Sequence, residues 1–146
     1  MIIWLTGQPG SGKTTLANSL KRYYEDIDMK VHHIDGDHLR EIFKNDDYSE
    51  WGRRRNVERA QDISQYLNYK SIILVSLVAP FRDQREVFKS KMDVVEVYVH
   101  TTKIRGKEHF HVNDYQPPIS NFIDIDTTED TVSESTQKII KKLTNG

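Results

Sequence analysis

The segment Gly7-Gln8-Pro9-Gly10-Ser11-Gly12-Lys13-Thr14 constrains this chain more than any other. Two glycines separated by four residues, then Lys and Thr, stand between the apolar run Ile2–Leu5 and a stretch with helical spacing, Lys13–Tyr24 (Leu16, Leu20, Tyr23, Tyr24). A strand, a tight loop and a helix are therefore predicted in that order. Glycines let the backbone curl so that successive N–H groups face one anion. The free N–H groups and dipole of the helix that starts there favour negative charge. Gly7, Gly10, Ser11, Gly12, Lys13, Thr14 and Thr15 are accordingly expected to hold the phosphates of a nucleoside triphosphate. Lys13 can reach the β- and γ-phosphates, and the Thr14 hydroxyl can ligate magnesium.

Further strands are predicted at Lys30–Ile34, Ser71–Val78, Val94–His100 and Asn121–Asp126. Helices are predicted at His38–Phe43, Trp51–Tyr69, Phe81–Lys89 and Thr128–Leu143, the last opening on Thr128-Glu129-Asp130 as cap and first turn. Phe81, Val87 and Phe88 read as packing residues. Thr101–Ser120 has no period, and Pro117-Pro118 argues against helix or central strand there. Alternating strands and helices give an α/β expectation: one domain over residues 1–146, with a parallel sheet of about five strands and helices on both faces. A net charge of −1 offers no field for nucleic acid, and no cysteine is present. No apolar run is long enough to span a bilayer, and Ile2–Leu5 follows the first residue directly, so a cytoplasmic location is expected.

Magnesium at a phosphate loop usually gains a carboxylate from a nearby strand end. Ser71–Val78 contains no acid, which leaves Asp35-Gly36-Asp37 at the end of the second strand. One Asp could hold the magnesium shell or accept a substrate hydroxyl proton, and the other could contact substrate. Asp37 is also well placed to cap the helix that follows. The six histidines include no helical i, i+4 pair, so no structural metal is expected.

Four more segments, with the loop, resemble adenylylsulfate kinase, which phosphorylates the 3′-hydroxyl of adenosine 5′-phosphosulfate. Asp35-Gly36-Asp37-His38-Leu39-Arg40 is similar to Asp-Gly-Asp-x-(Leu/Ile/Val)-Arg. Tyr48-Ser49-Glu50-Trp51-Gly52-Arg53-Arg54-Arg55-Asn56-Val57-Glu58-Arg59 resembles Phe-Ser-x-x-Asp-Arg-x-x-Asn-x-Arg-Arg. Val78-Ala79-Pro80-Phe81-Arg82-Asp83-Gln84-Arg85 resembles Ile-Ser-Pro-(Tyr/Phe)-Arg-x-x-Arg. Asp114-Tyr115-Gln116-Pro117-Pro118, with Ile123–Thr127, resembles Pro-Tyr-Glu-Pro-Pro and an Ile-Asp-Thr strand.

The resemblance implies a P-loop kinase fold, ATP and Mg2+, adenylylsulfate as acceptor, and a place in sulfate assimilation. It puts Asp37, Arg40, Arg53 and Asn56 on the acceptor, and Phe110 against its adenine. Lys13, Asp35 and Asp37 become the catalytic candidates, and Thr14 and Asp35 the metal candidates. Adenylylsulfate kinases are commonly dimers, so a homodimer is also implied.

The chain departs from the pattern in four places. Gly52 replaces an Asp, Glu58 an Arg and Ala79 a Ser, and Thr101–Val112 is far shorter than the family's Arg/Lys-rich lid. Lys103, Arg105 and Lys107 are the cations left to cover the phosphates. Two rivals stay open: a kinase of this fold with another small-molecule or nucleic-acid 5′-hydroxyl acceptor, and a nucleotide-binding module with weak or no catalysis.

Overall fold

In the computed structural model, which describes residues 1–145, five parallel strands form one sheet in the order β2-β3-β1-β4-β5. The first, β1 (Ile2–Thr6), and the third, β3 (Ile72–Ser76), are buried at every position, as unbroken apolar runs require of strands covered on both faces. Around them lie β2 (Val31–Asp35), β4 (Val94–His100) and β5 (Phe122–Asp126).

Side-chain alternation divides the core into two layers. Ile3, Leu5, Ile72, Leu74, Val97 and Val99 pack under α1 (Lys13–Asp26) and α5 (Val132–Asn145). Ile2, Trp4, Ile34, Ile73 and Val75 meet α2 (Gly36–Phe43), α3 (Glu50–Leu67) and α4 (Arg82–Lys91) on the other face. The crossover from β1 runs to one side, past β3 to β2, and the crossover from β3 runs to the other, past β1 to β4. A crevice therefore opens beyond the carboxyl end of β1.

The structure corrects three local expectations. The final helix begins at Val132, not Thr128, because the Asp126 carboxylate accepts from both the N–H and the hydroxyl of Thr128 and holds a turn. A reciprocal box between Thr131 and Glu134 starts the helix instead. The cap of α2 is Asp35, whose carboxylate accepts from the Asp37 N–H at 3.0 Å, so Asp37 is not the cap. Val87 is half exposed rather than packed, since one step round α4 from Phe88 points it away from the sheet.

Gly52 is held by its surroundings. A Cβ there would lie 2.1 Å from the Asp47 carbonyl oxygen and 2.4 Å from the Asp47 carboxyl carbon. The Asp47 side chain thus fills the volume where the resembled pattern begins its own Asp. Gly52→Asp, although it restores that pattern, is expected to cost more than about 2 kcal/mol through overpacking. Chemical denaturation checks this, and an unchanged midpoint would contradict it.

Candidate active site

The crevice is a cleft of about 930 Å³ bordered by the phosphate loop, the β2 and β3 ends, the α2–α3 turn and the loop after β4. At its floor the phosphate loop takes positive φ at Gly7, Gly10 and Gly12. At Gly7 a Cβ would fall 2.1 Å from the Val99 carbonyl oxygen, so only glycine fits. The N–H groups of Gly10, Gly12, Lys13, Thr14 and Thr15 have no acceptor among the described residues. The buried Ser11 hydroxyl also has no partner among them. Such a cradle of unpaired donors suits a polyphosphate.

Lys13 is buried, and its ammonium donates to the Gln8 carbonyl oxygen at 2.9 Å. Burial pulls its pKa down to about 8, although Asp37 and Asp35 oppose the shift, and Lys107 adds to it from across the cleft. Two cations bordering the same end of the cleft as the unpaired N–H groups make this end strongly anion-seeking.

Asp35 and Asp37 both border the cleft, as expected, but they are not equivalent. One Asp35 oxygen is occupied by the Asp37 N–H, whereas Asp37 is exposed. The Thr14 hydroxyl, the Asp35 carboxylate and the donor set of the loop fit a magnesium–polyphosphate pair, since hard oxygen ligands lie beside phosphate donors.

The far end of the cleft gathers the predicted acceptor residues. Arg53 is fixed by its Nε, which donates to the Tyr48 carbonyl oxygen at 2.7 Å, and it borders the cleft. Its neighbours do something else. Arg54 pairs with Glu50 and Asp83, and Arg55 with Glu58, on the outer helix face. Arg40 has a double role, because one terminal nitrogen donates to the carbonyl oxygens of Asn45 and Asp47 while its guanidinium lies 4.0 Å from the Tyr48 ring centre. Buried Asn56 donates to the Gly36 carbonyl oxygen at 3.3 Å, and its own carbonyl oxygen has no partner among the described residues. Phe110 sits on a single 3₁₀ turn, Glu108–Phe110, mostly exposed at the cleft rim.

Several contacts of the site escaped the sequence reading. The Gln8 amide pairs with both the N–H and the carbonyl of Val112, at 2.9 and 2.8 Å, joining the phosphate loop to the loop after β4. Arg105 donates to the carbonyl oxygens of Gly10, Ser11 and Thr127 and to the Thr127 hydroxyl, so it is tied down as a strap. Of the three cations expected to replace the lid, Lys107 borders the cleft, and Lys103 does not. His33 and Ser76 share a 2.7 Å hydrogen bond beneath the cleft.

The sequence profile of the family described as adenylylsulphate kinase matches residues 1–114. The adenylyl-sulfate kinase of Rippkaea orientalis is 30% identical, covering 97% of this chain and 90% of the relative. That of Burkholderia ambifaria is 28% identical, covering 97% and 91%. The latter alignment runs over 165 positions against 146 residues here, so the relative carries at least 19 positions that this chain lacks. The Mycobacterium tuberculosis APS kinase solved with AMPPNP and APS superposes with a TM-score of 0.85 over 98% of this chain and 96% of that one, and at 21% identity it shows the fold. The chain belongs to the adenylylsulphate kinase family.

Proposed function

We propose that this chain transfers the γ-phosphoryl group of ATP to the 3′-hydroxyl of adenosine 5′-phosphosulfate, giving 3′-phosphoadenylylsulfate and ADP. The observation that carries the reading is one cleft with two differently furnished ends. Unpaired N–H donors and Lys13 line one end, and Arg53, Arg40, Asn56 and Phe110 line the other.

The acceptor's 3′-oxygen attacks the γ-phosphorus, and the bond from that phosphorus to the β,γ-bridging oxygen breaks, its electron pair leaving with ADP. The hydroxyl proton passes to Asp37, the carboxylate left free by the Asp35 cap. Lys13 and the loop N–H groups stabilise the negative charge on the transferring group and on the departing oxygen. Magnesium, when bound, neutralises phosphate charge, and Thr14 and Asp35 would hold it. Arg53 and Arg40 suit the anionic phosphosulfate, Asn56 offers a free carbonyl oxygen, and Phe110 offers an aromatic face for adenine.

Loss of one charge-assisted contact at the acceptor end is expected to raise the KM for adenylylsulfate about 10- to 100-fold in Arg53→Ala, with the KM for ATP nearly unchanged. Equal rises in both constants, or none, would contradict the assignment. Among the described residues no helix is long and apolar enough to cross a membrane. The proposal keeps the enzyme cytoplasmic and homodimeric, and sedimentation at working concentration tests the dimer.

A further inference from the structure

A phosphate loop is commonly completed by an acid at the end of the neighbouring strand, which steadies the magnesium shell. Here the strand is β3 and its last residue is Ser76, in register with Leu5 on β1 and Asp35 on β2. Alternation along β3 puts Ser76 on the face of Ile72 and Leu74, the layer covered by α1, whose first turn carries Lys13 and Thr14. An apolar residue would continue that layer. Instead a hydroxyl stands there, only 2% exposed yet bordering the cleft together with Thr14 and Asp35.

Ser76 is also held. His33, two residues before Asp35 on β2 and so on the same face, shares a 2.7 Å hydrogen bond between its Nε2 and the Ser76 Oγ. A hydroxyl has one donor and two acceptor positions, so the imidazole uses one of three and leaves two for the cleft side. A buried hydroxyl oriented by a partly buried imidazole is a typical outer-shell arrangement around an ion.

We propose that Ser76, oriented by His33, takes the place of the missing strand-end acid and holds a water of the magnesium shell that Thr14 and Asp35 complete. The inference rests on the magnesium–ATP reading above. It assigns Ser76 a positioning role, with the negative charge supplied from the next strand by Asp35.

The test compares ADP affinity with Mg2+ and with EDTA by calorimetry, and Mn2+ affinity of the enzyme–ADP complex by paramagnetic resonance. Ser76→Ala is expected to weaken Mn2+ about tenfold while metal-free ADP binding stays as in the wild type. His33→Leu should reproduce most of that loss, and Ser76→Thr, which keeps the hydroxyl, should restore it. A Ser76→Ala protein that binds Mn2+ as tightly as the wild type would overturn the proposal. Should Ser76→Ala fail to fold, Ser76→Asp decides: an acid at this position tightens Mn2+ if the side chain serves the ion, and no tightening overturns the role. If magnesium adds nothing to ADP affinity in the wild type, the metal reading falls together with this inference. If it adds as much in Ser76→Ala as in the wild type, this inference alone falls.

Discussion

Lys13→Met is expected to reduce turnover by at least about a thousandfold and, at pH 7, to raise the melting temperature. The loss follows from removing the one side-chain cation buried at the floor of the phosphate cradle. The gain follows from the same burial. Lys13 titrates at about 8 in the folded chain against 10.5 unfolded, so folding with the amine charged costs roughly 3 kcal/mol. The variant gives back about 1 kcal/mol by leaving the Gln8 carbonyl oxygen unpaired. A net stabilisation of about 2 kcal/mol, or about 5 °C, is left.

The pH dependence has a fixed sign. With the folded value below the unfolded one, folding releases a proton between pH 8 and 10.5, and wild-type stability rises across that window. The burial penalty is fully present below pH 8, so the advantage of the variant is largest there and closes toward pH 10.5. Nucleotide binding runs the other way, because phosphates draw the proton back to Lys13. Wild-type ATP affinity should therefore fall by up to about tenfold per pH unit above 8, while Lys13→Met stays flat. A variant that melts below the wild type at pH 7 would contradict this account of Lys13.

Glu96→Ala is expected to cost about 3–5 kcal/mol, enough to bring a domain of this size near its threshold. Glu96 lies on β4, 1% exposed, and accepts from Arg85 Nε and Lys89 Nζ, each at 2.7 Å. Arg85 is equally buried, and it also donates to the carbonyl oxygens of Ala79 and Gln116. Truncating Glu96 would leave a guanidinium without a counter-charge in the interior. Because Ala79 borders the cleft and Gln116 belongs to the loop that returns over it, activity should fall along with stability. Replacing the pair together, as Glu96→Leu with Arg85→Met, should recover much of the stability but not the activity. Denaturant midpoints for the single and double variants check this, and a single variant within 1 kcal/mol of wild type, by the same scale, would contradict it.

What could be read from the sequence was what lies close together along the chain. The phosphate loop was legible because its glycines, Lys13 and Thr14 lie within one short segment flanked by unambiguous strand and helix patterns. Arg53 was legible only through its flanking matches. Arg54 and Arg55 look the same in sequence, and ion pairs with Glu50, Asp83 and Glu58 are what separate them. The α2 cap was misjudged because Asp35 and Asp37 are chemically alike. Gly36 decides between them: a Cβ there would lie 2.5 Å from the Leu77 Cβ, so the helix can start immediately at the strand end only with glycine. The start of α5 was missed although Thr131-Val132-Ser133-Glu134 carries the capping-box signature.

Pairs formed between distant segments left no local mark. Gln8 with Val112, Arg105 with the phosphate loop, and His33 with Ser76 join residues 104, 95 and 43 positions apart. Each is set by strand order, and strand order is not periodic. The short loop after β4 was read as a weakened lid. In the structure it is strapped down by Arg105 and Gln8, and it still presents Lys107 and Phe110 to the cleft.

The most direct measurement is ADP release from ATP and Mg2+, with and without adenylylsulfate, for the wild type and Asp37→Ala. Release that requires adenylylsulfate and collapses in the variant is the expected result, since the proposed mechanism has Asp37 take the acceptor's proton. Tight ATP binding without adenylylsulfate-dependent release, or undiminished release in Asp37→Ala, would contradict it.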